Sequence, residues 1–473
     1  MRGRLEDVRM KMKVFAALLV AGVLAFAPVV EPALTLPGGV ICQQAAAIDY
    51  SFIDASGNLK TTTENVTVID NSPVVSDWRT GWYIVEGDVA IPGRVQVNGD
   101  VHLILADGCT LNAQQGIGLQ NENSNITIYA QSTEEGTMGT LEATVPSSIY
   151  GAAIGANEDT IAGSITINGG KVTATSSALN AAAIGAGHSF NAASPSIIGS
   201  ITINGGIVTA KKAVSNNNGA AIGAGGHMSG GGNVTGGIYI NGGTVIAEIT
   251  ATYENYGAAI GARTSSSADG KIEGGIHITG GTVIAKITTT YKNNYGAAIG
   301  AGGADDNLGI VGGNVAGGIT ITGGTVTAEI NANEYNYAAA IGAGGTMGNN
   351  GGNVTGGLNI TGGTVTAKIQ TGNGNYGAAI GAGGTQVGNG GNVTGGLNIQ
   401  KANVMISVDG TNHADGIGDG KNRSSGAVSG TVTEVSVTNS VVSLSDGLVI
   451  KGYEEGKDTG IFIFGDAAQL VGT

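Results

Sequence analysis

The chain has 473 residues, 86 of them glycine, with aromatics at 4% and charged residues at 12%. So much glycine suggests collagen or disorder, but there is no Gly-X-Y period, and the glycines separate dense runs of Ile, Val, Ala and Thr that suit strands. The net charge of −14, with no cluster of Lys and Arg, argues against nucleic acid or an anionic membrane surface as a partner.

Met1 to Lys13 is net positive, Val14 to Val30 is apolar apart from Gly22 and Pro28, and Ala45-Ala46-Ala47 supplies small residues. This is the order of a secretory signal peptide, residues 1–47. Cleavage is expected after Ala47, with Ala27 as the second choice. That places the protein outside the cell, secreted or at the cell wall, with no membrane insertion afterwards. Cys42 follows the bulky Ile41, which argues against a lipoprotein signal. Cys109 is then the one cysteine left, so no intrachain disulfide forms, and with no His nearby it reads as a packed residue.

Residues 48–77 are polar and turn-rich and read as an N-terminal arm or cap. Residues 78–145 contain Trp78, Trp82 and Tyr83 and short strand signals at 82–85, 95–97, 102–105 and 125–129. They predict two or three coils of about 20 residues at the start of a solenoid.

From residue 146 to 431 two motifs alternate. The first is Gly-Ala-Ala-Ile-Gly-Ala, whose isoleucines are Ile154, Ile184, Ile222, Ile260, Ile299, Ile341, Ile380 and Ile417, spaced by 30, 38, 38, 39, 42, 39 and 37. The second, Ile-Thr-Ile-Asn/Thr-Gly-Gly-x-Val-x-Ala, starts at Ile165, Ile201, Ile238, Ile276, Ile319 and Leu358 and decays at Leu397 and Val435. Two landmarks with one period define a repeat. Ile319-Thr320-Ile321-Thr322 alternates with period two, the strand signature, and Gly323-Gly324 permits a sharp corner. Three short strands per repeat predict an all-β fold, a right-handed parallel β-helix (β-solenoid) with roughly eight large coils of about 38 residues. Residues 432–473 read as closing strands, at 432–437, 441–444 and 460–464. The arc from Ile-Gly-Ala to the next Ile-Thr-Ile varies most in length, so Gly302–Gly318 and Gly344–Gly357 read as protruding loops.

β-Helices include polysaccharide lyases and hydrolases, whose sites need converging carboxylates. The outward positions of successive coils are Thr166, Thr202, Tyr239, His277, Thr320, Asn359 and Asn398, then Asn168, Asn204, Asn241, Thr279, Thr322, Thr361 and Gln400. These rows are neutral, so no catalytic residues are assigned. The acidic residues are scattered (Glu158-Asp159, Asp305-Asp306, Asp415 and Asp419), and no metal or cofactor is expected. Asn233, Asn314, Asn353 and Asn392 recur in Gly-Gly-Asn-Val, and Tyr256, Tyr295, Tyr337 and Tyr376 precede the Ala-Ala-Ile-Gly strand. The residues singled out for ligand binding are Tyr239, His277, Asn359, Asn233, Asn314, Asn353 and Asn392, offering rings and amides to sugars. The competing reading for the asparagine and tyrosine rows is a stacked ladder that closes each corner. Tyr256 shares strand parity with Ala258 and Ile260, which points it inward.

Gly81-Trp82-Tyr83-Ile84-Val85-Glu86-Gly87-Asp88, then Val101-His102-Leu103-Ile104-Leu105-Ala106-Asp107-Gly108-Cys109-Thr110-Leu111, together with the Ile-Thr-Ile-Asn-Gly-Gly-x-Val-Thr-Ala units, resembles a family of uncharacterised bacterial surface proteins, mostly from Gram-positive gut bacteria. The resemblance covers roughly residues 78–400. It implies a secreted β-helix, often followed by immunoglobulin-like modules and a wall anchor. No Leu-Pro-x-Thr-Gly signal or hydrophobic tail precedes Thr473, so either a longer chain or another means of attachment is expected. The function expected is that of a monomeric, non-enzymatic adhesin or stalk, with glycans or host and neighbour-cell surfaces as partners. The alternatives are a carbohydrate-active enzyme and a purely structural spacer.

Overall fold

In the computed structural model the described residues run from 49 to 453, without 63, 71–74, 189–195, 227–231, 266–269, 305–310, 349 and 446, and resume at Leu470–Val471. The expected signal peptide and the closing strand expected at 460–464 lie outside them. The described residues form a parallel β-helix, with no helix among them.

The first strands form an antiparallel hairpin, Tyr50–Ile53 with Leu59–Thr62. The hairpin lays Tyr50 and Phe52 on Trp82, Ile84, Ile104 and Tyr129, the outer face of the first coils. Val66–Ile69 then pairs in parallel with Trp82–Val85, so the parallel ladder already begins inside the polar segment that reads as an arm. The small coils follow. Asp77–Val85 pairs with Val95–Leu105, and the latter with Asn125–Ala130.

Each large coil has the three sides expected from its alternation. The Ile-x-Ile strand stacks in register from Ile165 through Ile201, Ile238, Ile276, Ile319, Leu358 and Leu397 to Val435. After the Gly-Gly corner comes the long strand of a 12-stranded sheet, with examples at Thr244–Ala251, Thr282–Thr289, Thr325–Ala332 and Thr364–Thr371. Its inward row is Val172, Val208, Val245, Val283, Val326, Val365 and Val404, all with no exposed surface. Burying such a side chain is worth about 2 kcal/mol, and repetition along one axis compensates for the scarcity of large rings. Leu470–Val471 closes this sheet by pairing antiparallel with Val441–Val442.

The third side is a two-residue Ile-Gly bridge. Its glycine has a positive φ in every coil, +142° at Gly300, and the preceding alanines arch so that Ala297 N–H donates to the Ala301 carbonyl at 3.1 Å. A Cβ on Gly300 would lie 2.0 Å from the Gly342 carbonyl oxygen of the next coil. Only glycine allows both that φ and that approach, which explains why the motif retains it.

One outward row of the long strands alternates in charge. Lys211, Glu248, Lys286, Glu329 and Lys368 occupy successive rungs. Lys211 and Glu248 approach to 3.8 Å, and Lys286 and Glu329 to 3.2 Å. Opposite charges on directly neighbouring strands stabilise the register, whereas like charges would oppose it.

Candidate functional site

The middle position of the Ile-x-Ile strand faces out, and in-register stacking places those side chains one rung apart, about 4.8 Å. Tyr239 and His277 therefore meet, their ring centroids 4.9 Å apart and their planes 14° from parallel. A ring nitrogen of His277 also lies 2.8 Å from the Gly274 carbonyl oxygen, which fixes the ring. Both rings are half-buried, so their outer faces meet solvent. The row continues through Thr320 to Asn359, two rungs beyond His277, so Asn359 belongs to the same face without touching the ring pair. Beside it, Asn204 donates to Asn168 and Asn241 to Asn204, each at 2.8 Å, and Thr279 donates to Asn241 at 2.9 Å.

The second asparagine row lies apart from these rings and acts on the backbone. Asn233 Oδ1 accepts the N–H groups of Gly270 and Lys271 at 2.8 and 2.9 Å. Asn314 Oδ1 accepts the Asn353 N–H at 2.7 Å, Asn353 Oδ1 that of Asn392 at 2.8 Å, and Asn392 Oδ1 that of Thr431 at 2.8 Å. These four side chains tie coil to coil through their carbonyl oxygens, leaving only the NH₂ groups of Asn314, Asn353 and Asn392 for a ligand.

The Gly-rich arcs are packed at their bases, and residues 305–310 of the Gly302–Gly318 arc lie outside the described residues. Their bases are closed hairpins: Gly344 N–H donates to the Gly352 carbonyl at 2.9 Å, and Gly383 N–H to that of Gly391 at 2.9 Å. Gly344, Gly345, Gly351 and Gly352 are buried. Glycine is needed there because neighbouring backbones pack where side chains would stand.

The tyrosines before each arch form a stack of their own, separate from the aliphatic core. Tyr256, Tyr295, Tyr337 and Tyr376 are buried, with successive centroids 5.0, 5.1 and 5.5 Å apart, and His413 follows at 4.6 Å. Arg423 lies 3.7 Å over the Tyr335 ring and donates to the Tyr337 hydroxyl at 3.3 Å. Burial pushes the Tyr337 pKa up to about 12, so the phenol stays protonated. Immediately before these rings runs a ladder that escaped the sequence reading: Asn217, Asn255, Asn294, Asn336, Asn375 and Asn412. Each donates to the Oδ1 of the next, at 2.7 to 2.8 Å. The recurring Asn-Tyr pair was its signal.

No group of three or more His, Cys, Asp or Glu among the described residues could hold a metal ion. Two carboxylates do stand close together: Asp415 Oδ2 accepts the Asp419 N–H at 2.8 Å, and burial with the nearby Asp419 charge raises the Asp415 pKa. Asp419 Oδ1 accepts Lys451 Nζ at 2.9 Å and the Val432 N–H at 2.7 Å, a tie at the end of the stack. Asp305 and Asp306 lie outside the described residues. Glu158 lines a cleft of about 420 Å³ with Arg94, Gln115, Gln120, Tyr150 and Thr160. The Arg94 guanidinium there donates to Asn157 Oδ1, and at 2.7 and 2.8 Å to the carbonyls of Gln115 and Ala152, clamping the step from small to large coils. Cys109 is buried, and its pKa is pushed up to about 11, so the thiol stays protonated and unreactive at neutral pH.

Comparison of the chain with protein-family models, with curated proteins and with solved structures finds no match.

Proposed function

We propose that the protein is a secreted or cell-surface β-helix that presents its outer faces for adhesion, binding glycans without cleaving them. The observation that carries this reading is the Tyr239–His277 pair, two stacked rings on an outward row where Thr202 and Thr320 flank them on the adjoining rungs. Stacked rings offer an apolar surface, and the flanking hydroxyls and amides both donate and accept hydrogen bonds. A sugar needs that combination, and a plain spacer has no use for it. The polar rows are held by coil-to-coil hydrogen bonds, so the surface is organised before any ligand arrives, which lowers the cost of binding.

The test is a panel of neutral and acidic polysaccharides, each scored for protein retention and for new chain ends. Retention without new ends, weakened by the double change Tyr239→Ala with His277→Ala, is the expected result. New chain ends that disappear on boiling the protein would replace the reading with an enzymatic one. No retention on any member would leave a spacer.

A further inference from the structure

Aromatic residues are scarce in this chain, yet Tyr253 and Tyr291 are 47% and 62% exposed. They occupy the same place in successive coils, just past the ends of the long strands Thr244–Ala251 and Thr282–Thr289. Their rings lie 5.9 Å apart and 29° from parallel. Neither belongs to the core or to the buried tyrosine stack.

The position just before each ring continues along the solenoid as Thr252, Thr290, Asn333 and Gly372, Thr290 N–H donating to the Ala251 carbonyl and Asn333 N–H to that of Thr289. Asn333 Nδ2 donates to the Tyr291 carbonyl at 3.3 Å, and in the next coil Gly372 N–H donates to the Ala332 carbonyl at 3.2 Å. A Cβ on Gly372 would lie 2.0 Å from the Asn333 carbonyl oxygen, so this row, beside the rings, passes from hydroxyl to amide to bare backbone. Where the side chains shorten, a groove of about 290 Å³ opens. Thr288, Asn331, Asn333, Gln370 and Gly372 line it, with no charged residue among its lining.

Exposed rings keep apolar surface in water, and contiguous exposed apolar surface marks a binding site. The groove that continues from them offers hydroxyls and amides of both hydrogen-bonding senses. A partner that fits both has apolar faces, a rim of hydroxyls and no charge, and extends along the stacking direction. We infer that Tyr253, Tyr291 and the groove beyond them form a binding track for a linear neutral glycan lying along the solenoid axis. From Tyr253 to Gly372 is three rung steps, roughly 14 Å, enough for a short run of sugar rings. This rests on the glycan-binding reading, to which it adds a second site and a ligand class.

Calorimetry on the full chain tests it, with neutral gluco-, manno- and xylo-oligosaccharides as probes and oligogalacturonate as the acidic comparison. At least one neutral oligosaccharide is expected to bind and the acidic one to be rejected. Tyr291→Ala should weaken that binding about tenfold or more, Tyr291→Phe should keep it, and Gln370→Ala should weaken it. Because Tyr291 is exposed, Tyr291→Ala should leave thermal unfolding unchanged, so a lost affinity is not lost folding. Equal affinity of Tyr291→Ala and wild type overturns the track. If the Tyr239→Ala/His277→Ala change removes the binding instead, the glycan reading stands and the track falls. If only the acidic probe binds, the assigned class is wrong. If nothing binds, the track and the glycan reading fall together.

Discussion

Asn294 donates its side-chain amide twice, to the Gly296 carbonyl at 2.9 Å within its own coil and to Asn336 Oδ1 in the next coil at 2.8 Å. The amide thereby fixes the local turn and the stacking together, at a position with no exposed surface. Asn294→Leu removes both donors and the acceptor used by Asn255. Leaving buried polar groups without partners costs about 1–3 kcal/mol each, so a loss of about 3 kcal/mol is expected in denaturant unfolding. A loss under about 0.5 kcal/mol would show that the ladder is incidental.

The Ile-Gly bridge makes a sharper demand. Gly300→Ala forces a side chain into a φ of +142° and against the Gly342 carbonyl oxygen. We expect destabilisation of about 3 kcal/mol or more, read by the same unfolding experiment. Gly136, where an added Cβ meets nothing within 4 Å, is the control. Gly136→Ala should stay within about 0.5 kcal/mol of wild type. Equal effects at the two glycines would refute the steric account.

Lys212 occupies an inward position that Ile249, Ile287, Ile330 and Ile369 fill in the following rungs. Its ammonium donates to the carbonyls of Ala178 and Ala181 at 2.7 and 2.6 Å, and burial lowers its pKa to about 7. Between pH 7 and the ordinary lysine value of about 10.4, the unfolded chain holds a proton that the folded chain has lost. Stability from this group therefore rises with pH across that window, by an amount on the order of a few kcal/mol. Below the window both states are protonated, and the folded state carries the full cost of a buried charge. Denaturant unfolding of wild type and Lys212→Met at pH 7, 8.5 and 10 isolates the effect from other titrating groups. The difference should move in favour of wild type as pH rises; a flat difference would mean the ammonium is solvated.

Most of the fold was legible because its period is short and strict. Alternation in Ile319-Thr320-Ile321 and Thr325-Val326-Thr327-Ala328 assigns inward and outward faces residue by residue, and the register follows it. Parity served Tyr256 less well. It is buried, as counting from Ile260 implies, but in a separate stack, because the arch at Ala258–Ala262 interrupts the strand across which the count was made. The Tyr239–His277 contact followed from repeat spacing alone, since in-register coils bring equivalent positions together. The corner pair Tyr253 and Tyr291 did not, because neither lies in a repeated motif and only their exposure distinguishes them. The polar arm concealed a first parallel rung, since Val66–Ile69 is too short to announce itself. Lys212 was hidden in a strand whose neighbouring lysine, Lys211, faces solvent.

The alternating row of Lys211, Glu248, Lys286, Glu329 and Lys368 bears on how such an array lengthens or shortens over generations. Excising the single coil that carries Lys286 would seat Glu248 directly beside Glu329. Excising two adjacent coils, those of Lys286 and Glu329, would instead seat Glu248 beside Lys368 and preserve the alternation. Gain or loss of repeats in this stretch is therefore tolerated electrostatically in even numbers and opposed in odd ones.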